Sequence, residues 1–184
     1  VYCLYLINLS YMDNPLQRYI DAFEEFSAEK NEVIELLLIG GLAMSVYGIP
    51  RYTIDIDAEI NCSDKAYYEL IDYLKAKDIA FNLSENIAGW GIVPLPEGYR
   101  ERAAIAYKGK QLVLKVLEPT DFIFSKLLRG TEQDFTDAIE VIKKYNLTSD
   151  MIKKRESLIK YPKDSETLFF KKKLQHLFEL LERN

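Results

Sequence analysis

Asp55 and Asp57 stand two residues apart in the run Thr53-Ile54-Asp55-Ile56-Asp57-Ala58-Glu59-Ile60. Read as a strand, this run sends Asp55, Asp57 and Glu59 to one face, with Ile54, Ile56, Ala58 and Ile60 on the other. The two aspartate Cα atoms are then roughly 6–7 Å apart, close enough for their carboxylates to converge on a hard cation. Mg²⁺, or Mn²⁺ in its place, favours such a pair when a substrate's phosphate oxygens complete the ligand set. Fourteen to seventeen residues upstream lies Gly40-Gly41. Two glycines allow a tight turn and a close approach of backbone to whatever sits above it. A helix beginning there would present free N–H groups to phosphate. Turn and carboxylates therefore suit one ligand, a nucleoside triphosphate with its metal.

The elements that must position these residues follow from local pattern. Ile34 to Ile39 is an apolar run that reads as a buried strand. Leu42 to Tyr47 favours a short helix, which Gly48 and Pro50 end. The strand 53–60 follows as its neighbour. Before the motif, Asp13 and Asn14 are placed to cap a helix with Pro15 in its first turn. Its apolar stripe is Leu16, Tyr19, Ile20, Phe23 and Phe26. After the motif, Ser63 reads as the N-cap of a helix that buries Tyr67, Leu70, Ile71 and Leu74. Short strands are expected at 79–83 and 89–93, and Lys108-Gly109-Lys110 reads as the turn of a hairpin. Trp90, between glycines, fits either core packing or stacking on a base. Arg100 and Arg102 fit either a triphosphate contact or surface ion pairs. From Pro119 onward the pattern is helical, over 119–130, 131–145, about 149–160 and 164–182.

Gly-Gly, a short helix, Arg-x-Thr and Asp-x-Asp together resemble the minimal nucleotidyltransferases of the polymerase-β superfamily, most nearly the AbiEii-type abortive-infection toxins. Arg51, Thr53, Asp55 and Asp57 match that motif position by position. A second segment, Leu117 to Asp137, matches the same relatives through Pro119-Thr120-Asp121, Lys126-Leu127, Gly130, Asp134 and Asp137. The resemblance implies that Gly40, Gly41, Arg51, Thr53 and Lys126 contact the nucleotide, and that Asp55, Asp57 and Glu59 are the metal ligands. It adds Asp134 and Asp137 to the catalytic set, either as a base or as residues that cap and orient their helix. Thr131 stands where relatives often carry arginine, with Arg129 close enough in sequence to substitute. The departure is the third carboxylate that superfamily members usually add from a neighbouring strand. The expected strand near Trp90 to Leu95 contains no acid, and Glu59 and Glu101 are the nearest candidates.

These readings imply an α/β (α+β) fold: a mixed sheet flanked by helices over residues 1–118, and a C-terminal helical bundle over 119–184. The implied activity is Mg²⁺-dependent transfer of a nucleoside monophosphate to an RNA or protein acceptor, as in the toxin of a toxin–antitoxin pair with a cognate antitoxin partner. The alternative is an impaired member that only binds nucleotide, RNA or a partner protein. A haloacid-dehalogenase-like phosphatase also opens on Asp-x-Asp after an apolar strand, but without a preceding Gly-Gly helix. Asp-x-Asp alone is equally the pattern of an exposed strand face.

Composition narrows the classes further. The 184 residues are 48% hydrophobic, enough for a core, and no run reaches membrane-span length. Two cysteines and one histidine argue against a zinc site. Val1 to Tyr11 is apolar but lacks the basic region and cleavage site of a signal peptide, so a bacterial-type cytoplasmic protein is expected, either with Met12 as the natural start or with Val1 to Tyr11 packed as an added strand. Residues 1–118 hold 11 basic and 18 acidic side chains, a net of −7, whereas 119–184 hold 13 and 11, a net of +2. Within 143–173, ten Lys or Arg face four acids, which suits a nucleic-acid contact or ordinary solvated helix faces.

Overall fold

The computed structural model describes residues 15–87, 91 and 93–182. They fall into two compact units, one within 1–85 and 103–116, the other within 86–102 and 117–184. The strand expected over Val1 to Tyr11 lies outside the described residues. So do Trp90 and most of the strand expected at 89–93, where only Gly91 and Val93 are described.

The first unit is built on a five-stranded sheet in the order β3-β2-β1-β5-β4. β1 (Ile34–Leu38) pairs antiparallel with β2 (Asp55–Asn61) and parallel with β5 (Leu112–Val116). β3 (Ala80–Ser84) adds parallel to β2, and β4 (Ala104–Lys108) forms the expected hairpin with β5. The two-residue period sorts the faces. Ile34, Leu36, Leu38, Ile56, Ala58, Ile60, Leu112, Leu114 and Val116 are all buried on one of them. α1 (Pro15–Lys30) packs on β5 and buries Leu16, Tyr19, Ile20, Phe23 and Phe26. α3 (Asp64–Ala76) packs on β3 and α1 and buries Leu70 and Leu74. Each such side chain contributes about 1.5–3 kcal/mol by leaving water. The opposite face carries Asp55, Asp57 and Glu59 on β2, together with the cross-strand ion pair Lys115–Glu35 (2.7 Å). Ser63 caps α3 as expected, accepting from the Ala66 N–H.

The second unit is helical: α4 (Tyr99–Arg102), α5 (Pro119–Arg129), α6 (Glu132–Tyr145), α7 (Ser149–Glu156) and α8 (Ser165–Glu182). Glu118 caps α5 by accepting from the Thr120 N–H, and Gly130 ends it at φ 70°, the left-handed conformation glycine tolerates best. Phe122, Phe124 and Leu127 form its buried stripe, and Phe124 stacks on Phe170 of α8. Residues 86–102 belong to this unit and not to the sheet, although the sequence pattern places the boundary near Glu118. The tie is specific. The Glu97 N–H donates to the Leu158 carbonyl, and Arg102 grips the fully buried Asp121 through Nε (2.8 Å) and Nη2 (3.0 Å). Arg155 of α7 closes the cluster on Asp121 (2.7 Å) and Glu118 (2.8 Å).

Candidate functional site

The Gly-Gly turn and the Asp-x-Asp strand are one structure. α2 (Gly41–Val46) starts directly after β1, and the Ile39 N–H donates to the Asp57 carbonyl (3.1 Å), carrying the β1–β2 pairing up to the turn. Gly40 lies at φ −91°, so its role is not conformational freedom. What matters is its missing Cβ. An added Cβ would sit 2.5 Å from Asp57 Cβ and 2.6 Å from Cγ, inside van der Waals contact. One at Gly41 would lie 2.8 Å from Thr53 Cβ and 2.9 Å from its Oγ1. Each glycine thus makes room for one named residue of the motif.

The acids are held from the side. Thr53 Oγ1 donates to Asp55 Oδ1 (2.7 Å), and Asn82 of β3 donates to Asp57 Oδ1 (3.3 Å). Asp57 and Asn82 are register partners, so this amide is placed by strand pairing. Asn82 is a contact that sequence reasoning missed, since its position opposite Asp57 depends on β3 pairing parallel to β2. Arg51 is half-buried and donates to the Tyr52 carbonyl, which braces the approach to β2. Asp55 and Asp57 are themselves half-buried. Glu59 shares their face but is 8% exposed, opposite Leu37 on β1 and Ser84 on β3.

Two carboxylates beside an amide, a hydroxyl and a turn closely packed against them are oxygen donors suited to a hard cation that also binds phosphate. Among the described residues no group of three His, Cys, Asp or Glu side chains is gathered as a metal site.

The second set of predicted residues lies in the other unit and has a distinct character. Lys126 is 5% exposed, with its amine 2.7 Å from Asp137 and 3.7 Å from Asp134. Asp137 is fully buried and also accepts from Gln133. Asp134 is the N3 residue of a capping box on α6: Thr131 Oγ1 accepts the Asp134 N–H while Asp134 accepts the Thr131 N–H. Arg129 grips the same carboxylate through Nε and Nη2, both at 2.8 Å. Burial alone would raise this carboxyl. Arg129, the Thr131 hydroxyl, the Thr131 N–H and Lys126 together overcome that and hold it at about 2. A carboxylate so acidic is a weak proton acceptor at neutral pH. Of the two roles expected for Asp134, the geometry displays the cap.

Several cations of the C-terminal run are also occupied within their unit. Arg155 belongs to the Asp121 cluster, Lys173 donates to the Leu128 carbonyl at the end of α5, and Lys160 pairs with Glu97. Lys153, Lys171 and Lys172 lie over the rings of Phe178, Tyr161 and Phe169. The cluster is in large part helix-packing charge. Arg102, one of the two candidate triphosphate arginines, is committed to Asp121. Arg100 bonds to Asn86 and lies over Tyr99. No described helix is long and apolar enough to cross a membrane.

No curated protein matches the chain. A family model described as "Nucleotidyltransferase of unknown function (DUF6036)" matches residues 17–172, which include the Gly-Gly turn, the Asp-x-Asp strand, the Lys126 helix and most of the C-terminal helices. With that match over most of its length, and with the motif assembled on a mixed sheet flanked by helices, the chain belongs to this DUF6036 family of the nucleotidyltransferase superfamily.

Proposed function

We propose that the protein transfers a nucleoside monophosphate from a nucleoside triphosphate to a hydroxyl group on an RNA or protein acceptor. The observation that carries this reading is the fit of Gly40 against Asp57 and of Gly41 against Thr53, the hydrogen-bond partner of Asp55. It brings the Gly40–Gly41 turn and a carboxylate pair to one place, which supports a shared triphosphate-and-metal ligand. In the reaction the acceptor hydroxyl loses its proton to solvent, its oxygen bonds to the α-phosphorus, the bond to the bridging oxygen of the β-phosphate breaks, and pyrophosphate departs. Bound Mg²⁺ or Mn²⁺ would neutralise phosphate charge and polarise the phosphoryl oxygens. Asp55 and Asp57 would hold it, with Thr53 and Asn82 fixing their rotamers. The Gly40–Gly41 backbone would cradle the phosphates, and Arg51 would balance charge that grows in the transition state.

Lys126 fits this scheme less well than the sequence implies. Turning its amine toward a phosphate would leave Asp137 buried without its cation, at a cost of several kcal/mol. We assign Lys126, Asp134 and Asp137 to the clamp that joins α5 to α6. The resemblance to AbiEii-type toxins supports a toxin role with a neutralising antitoxin partner.

A second reading rests on the sequence, in which the stretch Trp90 to Leu95, where a third carboxylate is expected, contains no acid. In that reading the chain binds nucleotide without turning it over. Incubation with each labelled nucleoside triphosphate, Mg²⁺ or Mn²⁺, and total RNA and protein decides between them. Label on an acceptor, lost in Asp57→Asn, supports transfer. Metal-dependent binding with no labelled product from any nucleotide supports the binding-only reading.

A further inference from the structure

Asn82 stands in the middle of β3, between Phe81 and Leu83, although asparagine is depleted in strands. β1 and β3 are the two neighbours of β2 in the sheet. The β2–β3 register sets Ala80, Asn82 and Ser84 opposite Asp55, Asp57 and Glu59. Directly opposed residues share a face, so Asn82 lies on the carboxylate face, and its hydrogen bond to Asp57 agrees. The two oxygens of Asp57 have different surroundings. Oδ2 is the atom that a Cβ on Gly40 would strike, whereas Oδ1 accepts from Asn82 Nδ2 at 3.3 Å. The turn meets one oxygen and the amide the other. Asn82 is exposed, and its second polar atom, the carbonyl Oδ1, is a ligand type that suits Mg²⁺ and Mn²⁺.

We infer that Asn82 supplies the third protein donor of the Asp55–Asp57 metal site, and that its neutrality makes the cation arrive together with the triphosphate. This rests on the nucleotidyl-transfer reading. An amide can donate to Asp57 through Nδ2 and offer Oδ1 to a cation; a carboxylate in its place could do only the second. Asp55 and Asp57 bring two negative charges, which balance one divalent ion and no more. A third charge would hold the ion more tightly by itself and would repel the phosphates that follow. With an amide there, phosphate oxygens supply the remaining attraction, an arrangement that suits Mg²⁺. The competing role for Asn82 is to fix the Asp57 rotamer and touch no metal. The two roles differ in sign when the amide becomes a carboxylate. A ligand gains charge, whereas a rotamer prop loses its N–H and repels Asp57.

The test is equilibrium dialysis of the full chain against Mn²⁺ at matched free concentrations, with and without inorganic tripolyphosphate, counting the ions held by protein. Wild-type protein should hold Mn²⁺ weakly alone and about tenfold or more tightly with tripolyphosphate. Asn82→Asp should tighten Mn²⁺ alone by about tenfold or more and shrink the gain from tripolyphosphate. Asn82→Ala should weaken the Mn²⁺ held with tripolyphosphate by about tenfold. Thermal unfolding gives a second readout: metal-free Asn82→Asp should melt below wild type and be raised more by Mn²⁺ than wild type is. Weaker or unchanged Mn²⁺ binding in Asn82→Asp overturns the inference, as does unchanged binding in Asn82→Ala. Asp57→Asn tests the underlying site separately, since it should release Mn²⁺ under both conditions. If wild-type protein holds no Mn²⁺ even with tripolyphosphate, or Asp57→Asn holds as much as wild type, the site itself fails and the role of Asn82 falls with it. Loss in Asp57→Asn together with no gain in Asn82→Asp removes the amide's role alone.

Discussion

Gly40→Ala adds one methyl group at the point where the turn meets the carboxylate strand. The new Cβ would lie 2.5 Å from Asp57 Cβ and 2.6 Å from Cγ. Nonbonded carbons prefer about 3.5–4.0 Å, so the two elements must separate by about 1 Å. The clash involves Asp57 Cβ as well as its carboxylate, and a rotamer change cannot move Cβ. The strain therefore passes to the Ile39–Asp57 hydrogen bond and the β1–β2 pairing beyond it. Overpacking of this kind costs about 1–3 kcal/mol, which lowers the melting temperature by about 2–12 °C for a chain of this size. The effect on function should be larger in proportion, because a displacement of about 1 Å in a catalytic group can cost on the order of a hundredfold in rate. Thermal unfolding gives the first quantity, and metal-dependent nucleotide binding or transfer gives the second. Ser45→Ala, one turn further along α2, is a control that adds no atoms. If Gly40→Ala keeps both the wild-type melting temperature and wild-type metal-dependent binding, the close approach is not what Gly40 provides, and the site assignment loses its main support.

Three further outcomes follow from the same contacts. Asp57→Asn keeps the side-chain shape and removes one charge, so metal-dependent nucleotide binding should vanish while the metal-free melting temperature stays level or rises, as calorimetry with and without Mn²⁺ will show. Lys126→Met leaves Asp137 buried without its cation and should cost about 3–5 kcal/mol in urea unfolding, most of it recovered in Lys126→Met/Asp137→Leu; a loss of nucleotide affinity at unchanged stability would instead put Lys126 on phosphate. For Asp134 the folded carboxyl, at about 2, is lower than its ordinary 3.8, so the folded state binds fewer protons. Its stabilisation, about 2 kcal/mol, is full above pH 4 and lost as pH falls from 4 through 2. Asp134→Asn should flatten that part of the acid-unfolding curve, and an unchanged slope would contradict the ion-pair geometry.

Much of the sheet unit is legible because burial follows a two-residue period. β1 stands where the apolar run 34–39 places it, β2 where alternation does, and the β4–β5 hairpin where the Lys108-Gly109-Lys110 turn does. The expected 53–60 strand begins two residues later, at Asp55, since Ile54 bends out to solvent. The helix expected over 149–160 ends at Glu156, beyond which Leu158 and Ile159 turn back on the last turn of α7. The membership of residues 86–102 was not legible. It depends on Arg102 meeting Asp121, nineteen residues away, and composition does not encode that pairing. The capping role of Asp134 was legible in principle, because Thr131-x-x-Asp134 has the spacing of a capping box with a shorter acid. The burial of Lys126 had a weaker signal. Its helical neighbours Phe122, Ile123 and Leu127 are all apolar, which sets the amine on a covered face.

Physical cost separates the two groups of acids better than motif matching does. Asp121, Asp134 and Asp137 are buried, and each has an Arg or Lys nitrogen within 2.8 Å. Such pairs hold helices together, and removing one partner exposes the whole desolvation penalty of the other. Around Asp55 and Asp57 the chain has instead accepted a loss. Gly41 opens a helix where alanine would be more favourable by up to about 1 kcal/mol, and Gly40 gives α2 no side-chain cap. Both glycines can be traced to clearance for Thr53 and Asp57. Stability given up locally so that backbone can approach a half-buried aspartate supports the proposed binding site. The same argument weighs against a merely solvated strand face, which would need no glycine opposite it.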